Sequence, residues 1–327
     1  MNWFKTVFCL SFLVVLTSCG GEQQKVVLRM GHTLDTEHSV HKAMVHMAER
    51  LQHYSNGEMD VVIYPSAQLG NEREMVELLQ IGSLAMTKVS AATIEGFVPE
   101  MKVFSLPYIF QSREHRWRVL NGDVGQNLLN ETQKAHLVGL GYYDAGSRSF
   151  YMTDTRVKEP KDLTGKKIRV MESQTAVKMV QAFSGAATPI SFGELYAALQ
   201  QGVVDGAENN PPSFYLSRHY EISKYYILNE HTSVPDVIVG SAHVYNNLTE
   251  QQQLWLKKAI QDSVEYQKQL WLEGELQALA EVKKAGVEVI YPDKTPFINA
   301  VQDFHATFKG TRIGQYLEQI ASMNEGK

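Results

Sequence analysis

The sequence predicts an α/β fold in two domains tied together by one long helix. Three observations carry this. At 327 residues the chain is long for a single hydrophobic core, and two domains are the ordinary solution at that size. Segments with two-residue alternation are followed by segments with helical spacing, the pattern of parallel strands joined by crossover helices. From Thr249 to Ala285 a helical pattern runs almost unbroken, with Gly274 as its one weak point. About 37 residues at ~1.5 Å each would span about 55 Å, more than one small domain, so this helix is expected to run along both.

Taken in order, Lys25 to Met30 reads as a first strand leading into Gly31-His32-Thr33. Val40, Ala43, Met44, Met47 and Leu51 mark an amphipathic helix closed near Asn56-Gly57. Asp60 to Tyr64 is a second strand, Met75, Leu78 and Leu79 define a helix ending at Gly82, and Ser83 to Val89 returns to a strand. Helices around Trp117 and Leu128 precede a strand from Leu137 to Tyr142. Asp144-Ala145-Gly146-Ser147 is small and flexible, and a first crossing between domains is expected there, with a return near Thr232 to Pro235. Residues 25–146 plus 235–274 then form one lobe, and 147–234 plus 275–327 the other. Val287 to Tyr291 is a last strand, followed by helices around Phe304 and Tyr316.

Composition narrows the class. Hydrophobic content of 44% and charged content of 20% describe an ordinary globular protein. The formal charge of −5 provides no basic footprint for nucleic acid, and an anionic ligand would need a local positive site. Lys5 precedes an apolar run, Val7 to Leu16, of signal-peptide length and too short to span a membrane as a stable helix. It ends in Leu16-Thr17-Ser18-Cys19, which resembles a bacterial lipobox. Residues 1–18 are therefore expected to be a lipoprotein signal, Cys19 the lipidated residue and 19–24 a tether holding the protein on a membrane surface. Removing Lys5 with the signal changes the charge from −5 to −5 − 1 = −6. Cys9 leaves with it, and one cysteine makes neither a disulfide nor, once lipidated, a thiol nucleophile.

The informative stretch runs from Thr164 to Tyr215. Lys167-Ile168-Arg169-Val170 alternates as a strand with one buried face. Ile168 and Val170 face the core, and Arg169 points to the other side near the strand's carboxyl end, where open α/β sheets bind ligands. Ser191-Phe192-Gly193-Glu194 reads as a capping box opening a helix with Leu195, Ala198 and Leu199 inward, stopped at Gly202. A short apolar run then enters Asp205-Gly206-Ala207-Glu208-Asn209-Asn210-Pro211-Pro212, a loop rich in donors and acceptors and stiffened by two prolines.

Gly165-Lys166-Lys167-Ile168-Arg169-Val170, followed by the run from Thr188-Pro189-Ile190-Ser191-Phe192 to Asp205-Gly206-Ala207-Glu208-Asn209, resembles the signature of substrate-binding proteins of tripartite ATP-independent periplasmic (TRAP) transporters. The resemblance covers nearly all of the mature chain. It implies a Venus-flytrap fold closing two lobes on a ligand, with no cofactor and no catalysis. It makes Arg169 the residue that grips a ligand carboxylate in a two-pronged salt bridge, supported by Asn209. Arg148 falls where many members carry a second ligand-contacting arginine, and Lys88 where sialic-acid binders carry an acidic residue, a lysine there favouring contact with a further acceptor-rich group on the ligand. The detail of Met86-Thr87-Lys88-Val89-Ser90 and Ile168 to Ser173 looks most like members that bind hexuronates such as glucuronate and galacturonate. The implied partners are a small and a large transmembrane transporter subunit, with the binding protein itself a monomer outside the cytoplasm.

Several residues have binding chemistry of their own. A planar guanidinium at Arg169 suits a carboxylate because two parallel N–H groups meet two oxygens. Glu208 and Asn210 offer acceptors and donors for sugar hydroxyls, against a bland role as loop caps. His32 follows the first strand and is a candidate to reach the cleft. His38 and His41 share a helix face, but with no cysteine or carboxylate pair they do not make a metal site. Three alternatives stay open: another organic acid as ligand (sialic acid, an aldonate or a C4-dicarboxylate), a secreted sugar-acid enzyme using Glu208 or a histidine as base, and a ligand-induced sensor or chemoreceptor partner.

Overall fold

The computed structural model describes residues 25–323. It has two sheets, each backed by helices. The first has the strand order β2-β1-β3-β10-β4. Here β1 is Val26–Gly31, β2 Met59–Tyr64, β3 Met86–Ser90, β4 Leu137–Tyr143 and β10 Asp236–Ser241. The second has the order β11-β9-β5-β8-β6-β7. Its strands are β5 Arg148–Met152, β6 Lys167–Val170, β7 Ala186–Pro189, β8 Gly206–Asn209, β9 Tyr225–Thr232 and β11 Glu288–Ile290. The chain passes from the first sheet to the second between Tyr143 and Arg148, and returns between Thr232 and Asp236.

Neither sheet is purely parallel, which corrects the reading from alternation alone. β10 runs antiparallel to both β3 and β4, and β5 antiparallel to both β8 and β9. These are the two strands that the chain enters directly from the other lobe. Parallel neighbours need a long crossover connection, and a strand reached by a short link between lobes has none.

The long helix, Glu250–Lys284, is capped by a reciprocal Thr249–Gln252 box. Its 35 residues span about 52 Å. Leu256, Ala259 and Ile260 pack into the first lobe's core, and Val282 into the second's. Between them the helix grips the crossing. Gln267 accepts from the Asp144 N–H and donates to the Asp144 carbonyl, both at 2.8 Å. The Asp144 carboxylate is itself a buried hub, accepting from Arg113 Nε at 2.8 Å, Arg116 Nη2 at 2.6 Å and the Gly146 N–H at 2.9 Å.

A second tie joins the lobes lower down. Glu95 Oε1 accepts from Ser173 Oγ at 2.7 Å and from the Thr175 N–H at 3.1 Å, at the N-terminus of helix Gln174–Ala182. A carboxylate there also suits the helix dipole.

The C-terminal helix, Arg312–Ser322, lies elsewhere than the sequence reading placed it. The sequence predicts residues 275–327 in the second lobe, but this helix packs on the first. His115 Nε2 bonds the Ile320 carbonyl at 2.9 Å, Arg312 pairs with Glu100 at 3.2 Å and also with Glu131. Its buried Ile313, Tyr316 and Ile320 form one stripe. That stripe needs an apolar partner surface, and Val119, Leu120 and Val124 belong to the same buried core.

A cavity between the lobes holds the candidate site

The cavity lies between the carboxyl ends of parallel strands from both sheets, the place where such sheets bind ligands. Its volume is about 330 Å3. The first lobe contributes the loops after β1 and β2 and the end of β3. The second contributes the ends of β6, β7 and β8, and Trp271 of the long helix lines it between them. Ser66 and Ala67 hold consecutive positive φ angles of 53° and 58° in the loop after β2. Their N–H groups donate to the carbonyls of Leu34 and His32 at 3.0 and 3.1 Å, which offset that strain and fix the rim.

Arg169 is 2% exposed and lines the cavity. Its Nε donates to the Ile190 carbonyl at 2.8 Å, and its Nη1 has no hydrogen-bond partner among the described residues. Burial lowers its pKa, yet a guanidinium stays charged in a protein. Among the described residues, then, this buried cation has no carboxylate in hydrogen-bond contact.

Arg148 lines the same cavity but is already engaged. Its Nε and Nη2 donate to Glu208 Oε2 and Oε1 at 2.5 and 2.9 Å, Nη2 also to the Glu208 carbonyl at 2.7 Å, and Nη1 to Asn209 Oδ1 at 2.7 Å. Of its five N–H groups one is left over. Asn209 Oδ1 also accepts from the Asn210 N–H at 2.9 Å, so Asn209 has its amide N–H groups to offer a ligand. Asn210 lines the cavity while capping helix Pro211–Leu216, with Oδ1 accepting from the Ser213 N–H at 2.9 Å and Nδ2 donating to the Ala145 carbonyl at 3.1 Å.

Two expected site residues do not reach the cavity. Glu208 sits behind Arg148, 1% exposed. Burial alone would raise its pKa, but Arg148 and His231 outweigh that and hold the carboxyl down at about 2. It is neither an acceptor for hydroxyls nor a base poised for catalysis. His32 is fully buried beside the rim, with Nδ1 accepting from the Leu34 N–H at 3.2 Å and Nε2 bonded to His41 Nδ1 at 2.9 Å. Its ring shapes the loop after β1. The capping box expected at Ser191 is not formed either. A 3-10 turn, Phe192–Glu194, precedes the helix, and the Ser191 side chain makes no cap. Gly202 does stop the helix, at φ +67°.

Lys88 lines the cavity, held between Glu72 Oε1 at 3.0 Å and Asp236 Oδ1 at 3.1 Å. Burial would lower its pKa, but the two carboxylates raise it to about 12. Neither acid was singled out from the sequence, and neither has a local signal. Glu72 reads as an ordinary first-turn acid of a helix, and Asp236 as a residue after a proline.

Two further cavity residues were missed. His38 Nδ1 accepts from the Val40 N–H at 3.2 Å. Burial and the nearby Lys88 charge lower its pKa to about 3, so the ring is neutral with its proton on Nε2. That Nε2, and the indole Nε1 of buried Trp271, have no partner among the described residues. With Arg169 Nη1 they make three buried N–H donors around one cavity. An unpaired buried donor costs about 1–3 kcal/mol, so such a set calls for an acceptor-rich occupant.

A family model described as bacterial extracellular solute-binding protein, family 7 (DctP), matches residues 30–311. The chain belongs to this family. It is a solute-binding protein of the TRAP transporter type, and the family is one of extracytoplasmic binding proteins that serve membrane permeases. The binding protein is 38% identical to YiiZ of Salmonella typhimurium, over 87% of this chain and 88% of the relative. Its structure resembles a TRAP solute-binding protein of Xanthobacter autotrophicus Py2 with bound β-D-galacturonate, at TM-score 0.87 and 36% identity, covering 90% of this chain and 99% of that one. It also resembles one from Anaerococcus prevotii with bound D-glucuronate, at TM-score 0.89 and 33% identity, covering 92% and 98%. The two-lobed architecture is thus shared with these solved structures.

Proposed function

We propose that the cavity captures a hexuronate such as D-galacturonate or D-glucuronate and presents it to the transporter's membrane subunits. The observation that carries this is the donor set. Arg169, an uncompensated buried cation, takes the carboxylate. His38 Nε2, Trp271 Nε1 and the Asn209 amide take oxygens of the sugar ring. A volume of about 330 Å3 suits a monosaccharide and lies at the small end of the roughly 300–1,000 Å3 usual for ligand sites. The hexuronates held by structural neighbours support the same choice.

The test is a thermal-shift screen over uronates, aldonates, sialic acid and C4-dicarboxylates, with neutral galactose as control. Uronates should raise the melting temperature most, since a ligand at a thousand times its Kd stabilises by about 4 kcal/mol. A screen in which no uronate shifts the transition, or galactose matches them, overturns the reading.

The membrane anchor rests on Leu16-Thr17-Ser18-Cys19 alone, and Cys19 and the tether lie outside the described residues. Cys19→Ala should release the protein from membranes or leave it unprocessed. A variant that remains processed and membrane-bound removes the anchor from the proposal.

A further inference from the structure

Exposed carboxylates rim the cavity on both walls, Glu74 on the first lobe and Glu172 and Glu194 on the second, whereas the buried charges are unevenly distributed between the walls. On the second-lobe wall Arg169 is the cation without a carboxylate in contact, Arg148 being paired with Glu208. On the first-lobe wall Lys88 stands between Glu72 and Asp236, two carboxylates against one ammonium. Glu72 Oε2 also accepts from the Ser90 N–H at 3.2 Å and Thr93 Oγ1 at 2.8 Å, which holds it in place. Arg73, the other first-lobe cation at the cavity, is drawn to Glu77 on its own helix at 3.2 Å. The buried unpaired donors of Arg169, His38 and Trp271 mark the space between these walls as a ligand site.

We infer that the Glu72–Lys88–Asp236 cluster sets specificity, admitting a sugar acid with one carboxylate and rejecting its diacid counterpart. This rests on the uronate reading above. With its carboxylate at Arg169, the ligand's far end faces a wall whose one buried cation, Lys88, is outnumbered by the two carboxylates that hold it. Hydroxyl groups donate to such a wall. A second carboxylate cannot donate, and in a closed cavity it meets like charge, an arrangement that is strongly disfavoured once water is excluded. Lys88, read from the sequence as a ligand contact, acts here by keeping two carboxylates folded side by side.

Calorimetry with D-galacturonate and its diacid, galactarate, tests this. The wild type should bind galactarate at least about 100-fold more weakly. Glu72→Gln and Asp236→Asn each remove one negative charge from the wall and should narrow the galactarate-to-galacturonate gap about tenfold, with melting curves confirming the fold. Galactarate within tenfold of galacturonate on the wild type overturns the inference without recourse to a variant. A gap that stays the same in both folded variants also overturns it, since exclusion by shape alone would not respond to charge. Failure of the wild type to bind galacturonate is a separate result, which removes the uronate reading and this inference with it.

Discussion

Arg169→Ala should lose at least about 30-fold in uronate affinity while the ligand-free protein remains as stable as the wild type. The two halves of this expectation share one cause. Arg169 is buried, with Nε spent on the Ile190 carbonyl and Nη1 unpartnered. A buried charge that is not paired is a cost to the fold, so its removal does not weaken the empty protein. A ligand carboxylate supplies the missing counter-charge, and stranding one in a closed cavity costs roughly 2–5 kcal/mol. Arg169→Lys should also be clearly impaired, because an ammonium cannot reproduce two-pronged geometry. A uronamide in place of the uronate should weaken binding to the wild type and hardly alter binding to the alanine variant. Calorimetry on the four combinations forms a double-mutant cycle. If the two losses simply add, Arg169 does not hold the carboxylate.

Glu208→Gln should behave in the opposite way, destabilising the empty protein by about 3–5 kcal/mol. Its carboxylate meets Arg148 through two N–H groups, and the two side chains are 1% and 7% exposed. Removing one charge leaves the other buried and unpaired. The pH dependence gives an independent reading. The folded pKa is depressed from 4.5 to about 2, so the carboxylate's contribution is present above pH 4.5 and is lost as pH falls toward 2. That contribution, on the order of 3 kcal/mol at 1.36 kcal/mol per unit, should be missing from the acid limb of the Glu208→Gln variant. Urea unfolding midpoints at pH 7 and pH 3 check both claims. A variant that loses under 1 kcal/mol at pH 7 and keeps the wild-type acid limb would show that the pair is not an ionic one.

The difference between these arginines shows where local pattern stops. Arg148 and Arg169 both sit on short strands, and the family resemblance implies a ligand contact at both. Only the antiparallel pairing of β5 with β8, Ser149 opposite Asn209 and Phe150 opposite Glu208, brings Glu208 against Arg148 and leaves that cation at the cavity with one N–H group to offer. Glu208 itself read as a cavity residue because its neighbours Asn209 and Asn210 are. Alternation in β8 turns successive side chains to opposite faces, and the register with β5 decides which face is the cavity.

What the sequence by itself determined is what depends on near neighbours and on long, specific motifs. The two lobes, the long helix from Thr249 onward, the Gly202 stop, and Arg169 on a strand end all follow from spacing, capping chemistry and the run from Gly165 to Asn209. The tertiary structure alone decided the rest. Glu72 and Asp236 lie far apart in the chain and meet only because β10 returns beside β3, where Lys88 stands. Trp271 has the spacing of a core residue, and it lines the cavity because the long helix crosses between the lobes at that point. The C-terminal helix joined the first lobe because that lobe has the apolar surface its stripe requires. Such partnerships are made by residues distant in sequence, and each is fixed by which surface is left to bury and which charge is left to pair.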